Sequence, residues 1–205
     1  DENGGVGFRK GCYVGQEVVS RMQHRGTARR RVMIAKGEAD LPGSGAAILC
    51  GNHVSLWDPL AAGVAVKRPV RFMGKKELFG VPALGAVIRA LGAFPVDRGN
   101  ADMAAVRAAL AILREGGVLG IFPQGGRDVT DSRAMESGVA LLALKSGAPV
   151  IPMRVLGRYR LFRKNTLMIG EAVDLSAFSL RGGSAALQQA TRAIENAVAA
   201  LDMPE

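Results

Sequence analysis

The sequence holds two histidines, His24 and His53, and the second has neighbours that suit chemistry. In Cys50-Gly-Asn-His-Val-Ser-Leu-Trp-Asp-Pro59, His53 follows a short apolar run and Asp58 stands where a helix is predicted to begin. A sharp turn between them would bring imidazole and carboxylate together. The carboxylate would fix the tautomer and stabilise the imidazolium, and the other ring nitrogen would accept a proton from a hydroxyl. The same residues also fit a structural histidine bonded to an aspartate that caps a helix, and taken alone the spacing favours that quieter role. A third reading makes Cys50, His53 and Asp58 metal ligands. No further Cys or His cluster completes a set, so no metal is expected.

Two later blocks carry arginines. In Gly92-Ala-Phe-Pro-Val-Asp-Arg98-Gly99 a short strand runs into Arg98. An arginine at the carboxyl end of a strand lies where open α/β sheets bind ligands, and its planar fork suits phosphate oxygens. It fits equally a surface arginine paired with Asp97. In Ile121-Phe-Pro-Gln-Gly-Gly-Arg127-Asp128 an apolar strand opens into a loop where Gly125 and Gly126 permit close backbone approach. Backbone N–H groups with Arg127 would hold an anion there, or the segment is a plain strand–loop–helix connection. A fourth block, Val150-Ile-Pro-Met-Arg, places Pro152 at a strand end or sheet edge. Together, one base and two cations after successive strands fit deprotonation of a hydroxyl on a phosphorylated substrate.

The elements that must position these residues read as strand and helix in alternation. Strands are predicted at 46–51, 70–73, 93–96, 118–122, 150–155 and 167–169. Helices are predicted at 58–66, 78–91, 100–115, 133–146 and 184–201. In 100–115, Met103, Val106, Leu110 and Leu113 share one face at helical spacing, Asn100 caps the start, and Gly116-Gly117 ends it. In the last helix, Leu187, Ala190, Ile194, Val198 and Leu201 do the same. This order implies an α/β fold, with a mixed, largely parallel sheet flanked by helices.

Composition narrows the partners. A chain of 205 residues, 48% hydrophobic with mixed charge, is long enough for one α/β domain with a full core. It opens on Asp1 rather than Met, which reads as a fragment or processed chain, with nothing resembling a signal peptide. No apolar run reaches the roughly 18–20 residues of a spanning helix. Cys12 and Cys50 are far apart, so no disulfide framework is expected and a reducing cytoplasm is the simple assumption. The net charge is +9, of which +5 falls in residues 1–36 (eight basic against three acidic). Aromatics are 5% and do not interleave with Arg29-Arg30-Arg31, so nucleic acid is not an expected partner.

The four blocks, in this order, resemble the glycerolipid acyltransferase family, best known for 1-acylglycerol-3-phosphate acyltransferases. The likeness runs over about residues 32–201. It rests on Asn-His-x4-Asp-Pro, Phe-Pro-Val-Asp-Arg-Gly, Phe-Pro-x-Gly-x-Arg and Val-Ile-Pro. The resemblance implies that His53 deprotonates the free hydroxyl of a lysophospholipid, oriented by Asp58. That oxygen attacks the thioester of acyl-CoA or acyl-carrier protein, giving phosphatidate when the acceptor is 1-acylglycerol-3-phosphate. No bound cofactor is implied. Asn52, Arg98, Gln124, Gly125, Gly126 and Arg127 are the implied substrate-binding residues, and Pro152 would shape the acyl side. Where the family usually has Glu, this chain has Gln124, which keeps size and a carbonyl but loses charge. Gly126 stands in place of the usual Thr.

The front reads differently. Phe8-Arg-Lys-Gly-Cys-Tyr-Val-Gly-Gln-Glu17, followed by Arg25-Gly-Thr-Ala-Arg, resembles a signature of folate-binding relatives of the glycine-cleavage aminomethyltransferase. The likeness covers only residues 6–31, too few to build a folate pocket. Residues 1–35 are therefore read as a fused remnant with Cys12 as an idle thiol, and residues 36–205 as the acyltransferase domain. The remnant occupies the place where acyltransferases often carry membrane-associating helices. Peripheral contact with the cytoplasmic face of a membrane is then expected from residues 78–91 and from Lys67, Arg68, Arg71, Lys75 and Lys76. Two alternatives stay open: an acyltransferase with another lyso-lipid acceptor, and a non-catalytic lipid-binding protein of the same fold.

Overall fold

The computed structural model describes residues 41–55, 57–96, 103–123, 133–156 and 166–201, without the side chains of 133–136. The expectations for the front segment, including Cys12, lie outside the described residues.

Along the chain come β1 (Ala47–Gly51), α1 (Asp58–Ala65), β2 (Val70–Lys75) and a 3-10 turn (Lys76–Gly80). They are followed by α2 (Leu84–Ala90), β3 (Phe94–Val96), α3 (Met103–Arg114) and β4 (Val118–Ile121). The last are α4 (Arg133–Ser146), β5 (Val150–Leu156), β6 (Thr166–Ile169), a 3-10 turn (Leu180–Gly182) and α5 (Gly183–Ala200). The six described strands form one sheet in the order β3-β2-β4-β1-β5-β6, parallel throughout except for β6. This is the mixed, largely parallel α/β sheet expected from the alternation.

Every residue of β1 is buried, as a strand covered on both faces requires. The side-chain alternation of the strand divides the core in two. Leu49 joins Phe72, Phe122, Ile151 and Met153 on the face covered by Ala62, Ala65 and Val66. Ile48 and Cys50 join Leu119, Ile121 and Val150 on the face covered by α3, α4 and α5. Because β1 to β5 run parallel, their carboxyl ends, and the segments that leave them, share one edge of the sheet.

Three expectations are corrected. Residues 78–91 are not one helix: the 3-10 turn ends at Gly80, and Pro82 and Ala83 intervene before α2. Leu84 N–H donates to the Pro82 carbonyl at 2.7 Å across Ala83, whose φ is +61°. This is a tight three-residue turn of the strained hand. Gly85 then packs so close to Phe79 that a Cβ would lie 2.9 Å from its carbonyl carbon.

In α3 the expected face holds in part: Leu113 is buried, and Val106 and Leu110 pack against the same core, but Met103 is 56% exposed. The buried positions also include Ala105, Ala109 and Ile112, where the small residues let the helix approach the sheet closely. The end of α3 is as expected. Gly116 takes φ +73°, with Gly117 N–H on the Ile112 carbonyl and Gly116 N–H on that of Leu113.

Pro152 is neither at an edge nor at a terminus, since β5 lies between β1 and β6. Its missing N–H faces β6 opposite Gly170, which donates to the Pro152 carbonyl at 2.9 Å and receives nothing in return. Val173 N–H next reaches Val150, so the returning chain carries one extra residue against β5. Proline is tolerated where the ladder is already interrupted.

Candidate active site

The chain leaves β1 at Gly51 because it must and because it can. A Cβ on Gly51 would collide with the Met153 side chain and lie 2.8 Å from the Met153 carbonyl oxygen. Only glycine allows this approach to β5. The next residue, Asn52, turns out of the sheet, and its carboxamide reaches back to Val155. Its Nδ2 donates to the Val155 carbonyl at 3.1 Å, and its Oδ1 accepts from Val155 N–H at 2.8 Å. Asn52 was expected against substrate; its carboxamide is instead engaged with the β5 backbone.

His53 and Asp58 are brought together. His53 Nδ1 lies 2.8 Å from Asp58 Oδ2. The same oxygen accepts from the backbone N–H groups of Val54 and Ser55, each at 2.7 Å. Asp58 is fully buried, while the His53 side chain keeps 14% of its surface exposed. Asp58 is also the first residue of α1, where the positive end of the helix dipole favours a carboxylate. Among the described residues, the donors to Oδ2 are His53, Val54 and Ser55, all from the turn before the helix, so the aspartate organises the histidine loop. A carboxylate accepts only, which makes Nδ1 the protonated nitrogen of the neutral ring and turns Nε2 away from Asp58 as the basic one.

The ring plane is set by a contact the sequence reading did not single out. Phe122, directly after β4, stacks on the imidazole with centroids 4.7 Å apart and planes at 22°. Phe72 of β2 stacks behind it at 5.5 Å and 10°. The available signal was position: an aromatic at the end of the strand beside β1 falls at the same sheet edge as His53.

Cys50 does not join this group. Its side chain enters the opposite core, where burial first, and then the charge of Glu195, push the thiol up to about 12. A metal set of Cys50, His53 and Asp58 is therefore not formed. A cleft of about 390 Å³, lined by Cys50, Asn52, Pro123, Arg154 and Glu195 among others, opens on the α5 side. His53 stacks on the α1 side, so this cleft is not where the imidazole works. Arg98, Gln124, Gly125, Gly126 and Arg127 lie outside the described residues. The strands before them end at Val96 and Ile121, on the same edge as Gly51.

The sequence model of a family described as Acyltransferase matches residues 29–156, more than half of the chain. The chain belongs to the acyltransferase family. By family it is an O-acyltransferase, and the relatives agree. A 1-acyl-sn-glycerol-3-phosphate acyltransferase of Bacillus subtilis is 29% identical over 170 residues, covering 77% of this chain and 85% of that one. Two further bacterial acyltransferases of the same name are matched over about half their length, 55% and 47%. The crystal structure of the 1-acyl-sn-glycerophosphate acyltransferase of Thermotoga maritima superposes with a TM-score of 0.54. The two share 26% identity, over 83% of this acyltransferase and 74% of that one. A mitochondrial iron–sulfur cluster assembly factor of Mus musculus also matches, 51% identical over 41 residues, which is 20% of this chain and 12% of that protein. This partial match accords with the second resemblance in the sequence.

Proposed function

We propose that the chain transfers an acyl group from acyl-CoA or acyl-carrier protein to the free hydroxyl of 1-acylglycerol-3-phosphate. The single observation that carries this reading is the buried Asp58 carboxylate, which holds His53 by Nδ1 at 2.8 Å. The relatives supply the acceptor by their names. In this scheme His53 Nε2 takes the hydroxyl proton as the oxygen attacks the thioester carbonyl. The tetrahedral intermediate then expels the thiolate, and the imidazolium returns the proton to sulfur. Asp58 steadies the imidazolium in between. Arg98 and Arg127, with Gln124, Gly125 and Gly126, hold the acceptor phosphate, and Pro152 borders the acyl side. The chain needs no metal or bound cofactor for these steps.

Peripheral contact with a membrane surface would bring the lipid acceptor to the site, and exposed apolar residues near the same edge of the fold support that part of the reading. Val54 and Trp57, 39% and 50% exposed, flank the His53 loop. Val81, Leu84 and Val87 are exposed beyond β2, with Lys75 and Lys76 beside them. Among the described residues no helix is long and apolar enough to cross a membrane, and this reading is one of peripheral contact.

The test is turnover of acyl-CoA with a panel of lysolipid acceptors, comparing wild type with His53→Ala. Loss of at least 100-fold in kcat is expected, with a cooperative thermal transition retained. Retained activity would remove His53 as the base. Binding of lysophosphatidate by the wild type without turnover would favour a non-catalytic lipid-binding role, the reading to which Gln124 points.

A further inference from the structure

In β5 the backbone groups of alternate residues face opposite neighbours. Pro149 and Val155 face β1, while Val150 and Pro152 face the returning chain at Val173 and Gly170. Ile48 N–H donates to the Pro149 carbonyl, and the register continues through Gly51 opposite Met153. There β1 ends. Val155 is the next β5 residue whose N–H and carbonyl both point toward β1, and the main chain of β1 is no longer there to meet them. Left unpaired, two part-buried peptide groups would cost about 1–3 kcal/mol each.

The Asn52 carboxamide meets both. Its syn N–H and its carbonyl point the same way, matching the N–H and carbonyl that Val155 turns toward β1, so it serves as an extra rung of the ladder while the backbone departs. Aspartate lacks the donor, serine lacks the planar pair, and leucine lacks both.

We propose that Asn52 is a positioning residue for His53: by standing in for the main chain of β1, it fixes the direction in which the histidine loop leaves the sheet. This rests on His53 being the base. Asn52 is adjacent to His53 in sequence and joined to a residue 103 positions away. The loop is therefore held at two points, by Val155 through Asn52 and by Asp58 through His53, Val54 and Ser55. Releasing the first lets the ring slide relative to Phe122 and to a bound hydroxyl. A displacement near 1 Å from a productive geometry costs about 100-fold in rate.

The test uses the full chain with Asn52→Ala and Asn52→Gln, which keeps donor and acceptor but adds a methylene. Steady-state kcat and KM for lysophosphatidate and acyl-CoA are read beside the downfield proton resonance of the His53 Nδ1–H. A core variant, Val139→Ala, controls for lost stability. For Asn52→Ala, kcat should fall about 10- to 100-fold with both KM values within about 2-fold, and the resonance should shift or broaden. Asn52→Gln should fall between Ala and wild type, and Val139→Ala should keep kcat. A raised lysophosphatidate KM at unchanged kcat would instead make Asn52 a substrate contact and overturn the proposal. Unchanged kcat and resonance in both Asn52 variants would also overturn it. If the wild type turns over no acceptor, the acyl-transfer reading fails while the resonance still decides the clamp. If Asn52→Ala does not fold, Asn52→Gln decides alone: wild-type kcat and resonance overturn the proposal, and a loss in both supports it.

Discussion

Replacing Asp58 by alanine removes one oxygen that serves three donors at once. His53 Nδ1, Val54 N–H and Ser55 N–H all converge on Oδ2 within 2.8 Å, and the carboxylate is fully buried. Each donor left without a partner costs about 1–3 kcal/mol, less where water reaches it. The three are part-buried, so a total loss of about 3–5 kcal/mol is expected. For a chain of this size that lowers Tm by on the order of 10 °C. Asp58→Asn separates stability from chemistry. It keeps an acceptor for the loop but loses charge assistance, so the expected cost is about 1–3 kcal/mol. It no longer dictates which imidazole nitrogen carries the proton, and kcat should drop on the order of 10³–10⁴-fold. Calorimetry and an assay of thiol release from acyl-CoA read the two effects separately. An Asp58→Asn enzyme within tenfold of wild-type kcat would refute the orienting role. An Asp58→Ala protein with Tm within about 2 °C of wild type would refute the three-donor accounting.

Two glycines in neighbouring elements should respond in opposite directions. Gly51→Ala forces a Cβ into the Met153 side chain and backbone, so a loss of about 2 kcal/mol or more in urea unfolding is expected. Gly63→Ala in α1 meets nothing within 4 Å and should gain about 0.5–1 kcal/mol. Cys50 predicts an alkaline dependence. Its thiol rises from 9.0 to about 12 on folding, so the folded state holds the proton more tightly. The associated stability is complete below pH 9 and is lost as pH climbs toward 12. At pH 10.5 the loss should reach about 2 kcal/mol in urea unfolding. It should be absent in Cys50→Ala, and equal alkaline losses in the two proteins would contradict this origin.

Much of the fold follows from local patterns. Continuous apolar runs such as 118–121 read as buried strands, and Gly116 marked the end of α3 through the left-handed turn it adopts. The His53–Asp58 pair was legible because both residues belong to one turn. The partner of Asn52 was not, since Val155 lies 103 residues away and nothing near Asn52 encodes that contact. Phe122 was missed for the same reason: stacking on His53 depends on β4 lying beside β1, which is a property of strand order. Helical spacing placed Leu113 in the core face of α3 correctly but also drew in Met103, whereas close packing buries Ala105 and Ala109 beside it. The break in 78–91 was signalled by Pro82 but obscured by the apolar residues on both sides of it.

The position of β1 at the middle of the sheet also governs when the histidine loop can be assembled. During synthesis β1 emerges first among the described strands, yet its neighbours β4 and β5 begin only at Val118 and Val150. Pairings so distant in sequence close late and slowly. His53 and Asp58 are translated within a few residues of each other, but the rung that anchors their loop waits for Val155. A nascent chain halted before that residue carries both side chains of the dyad without the strand that holds the loop in register.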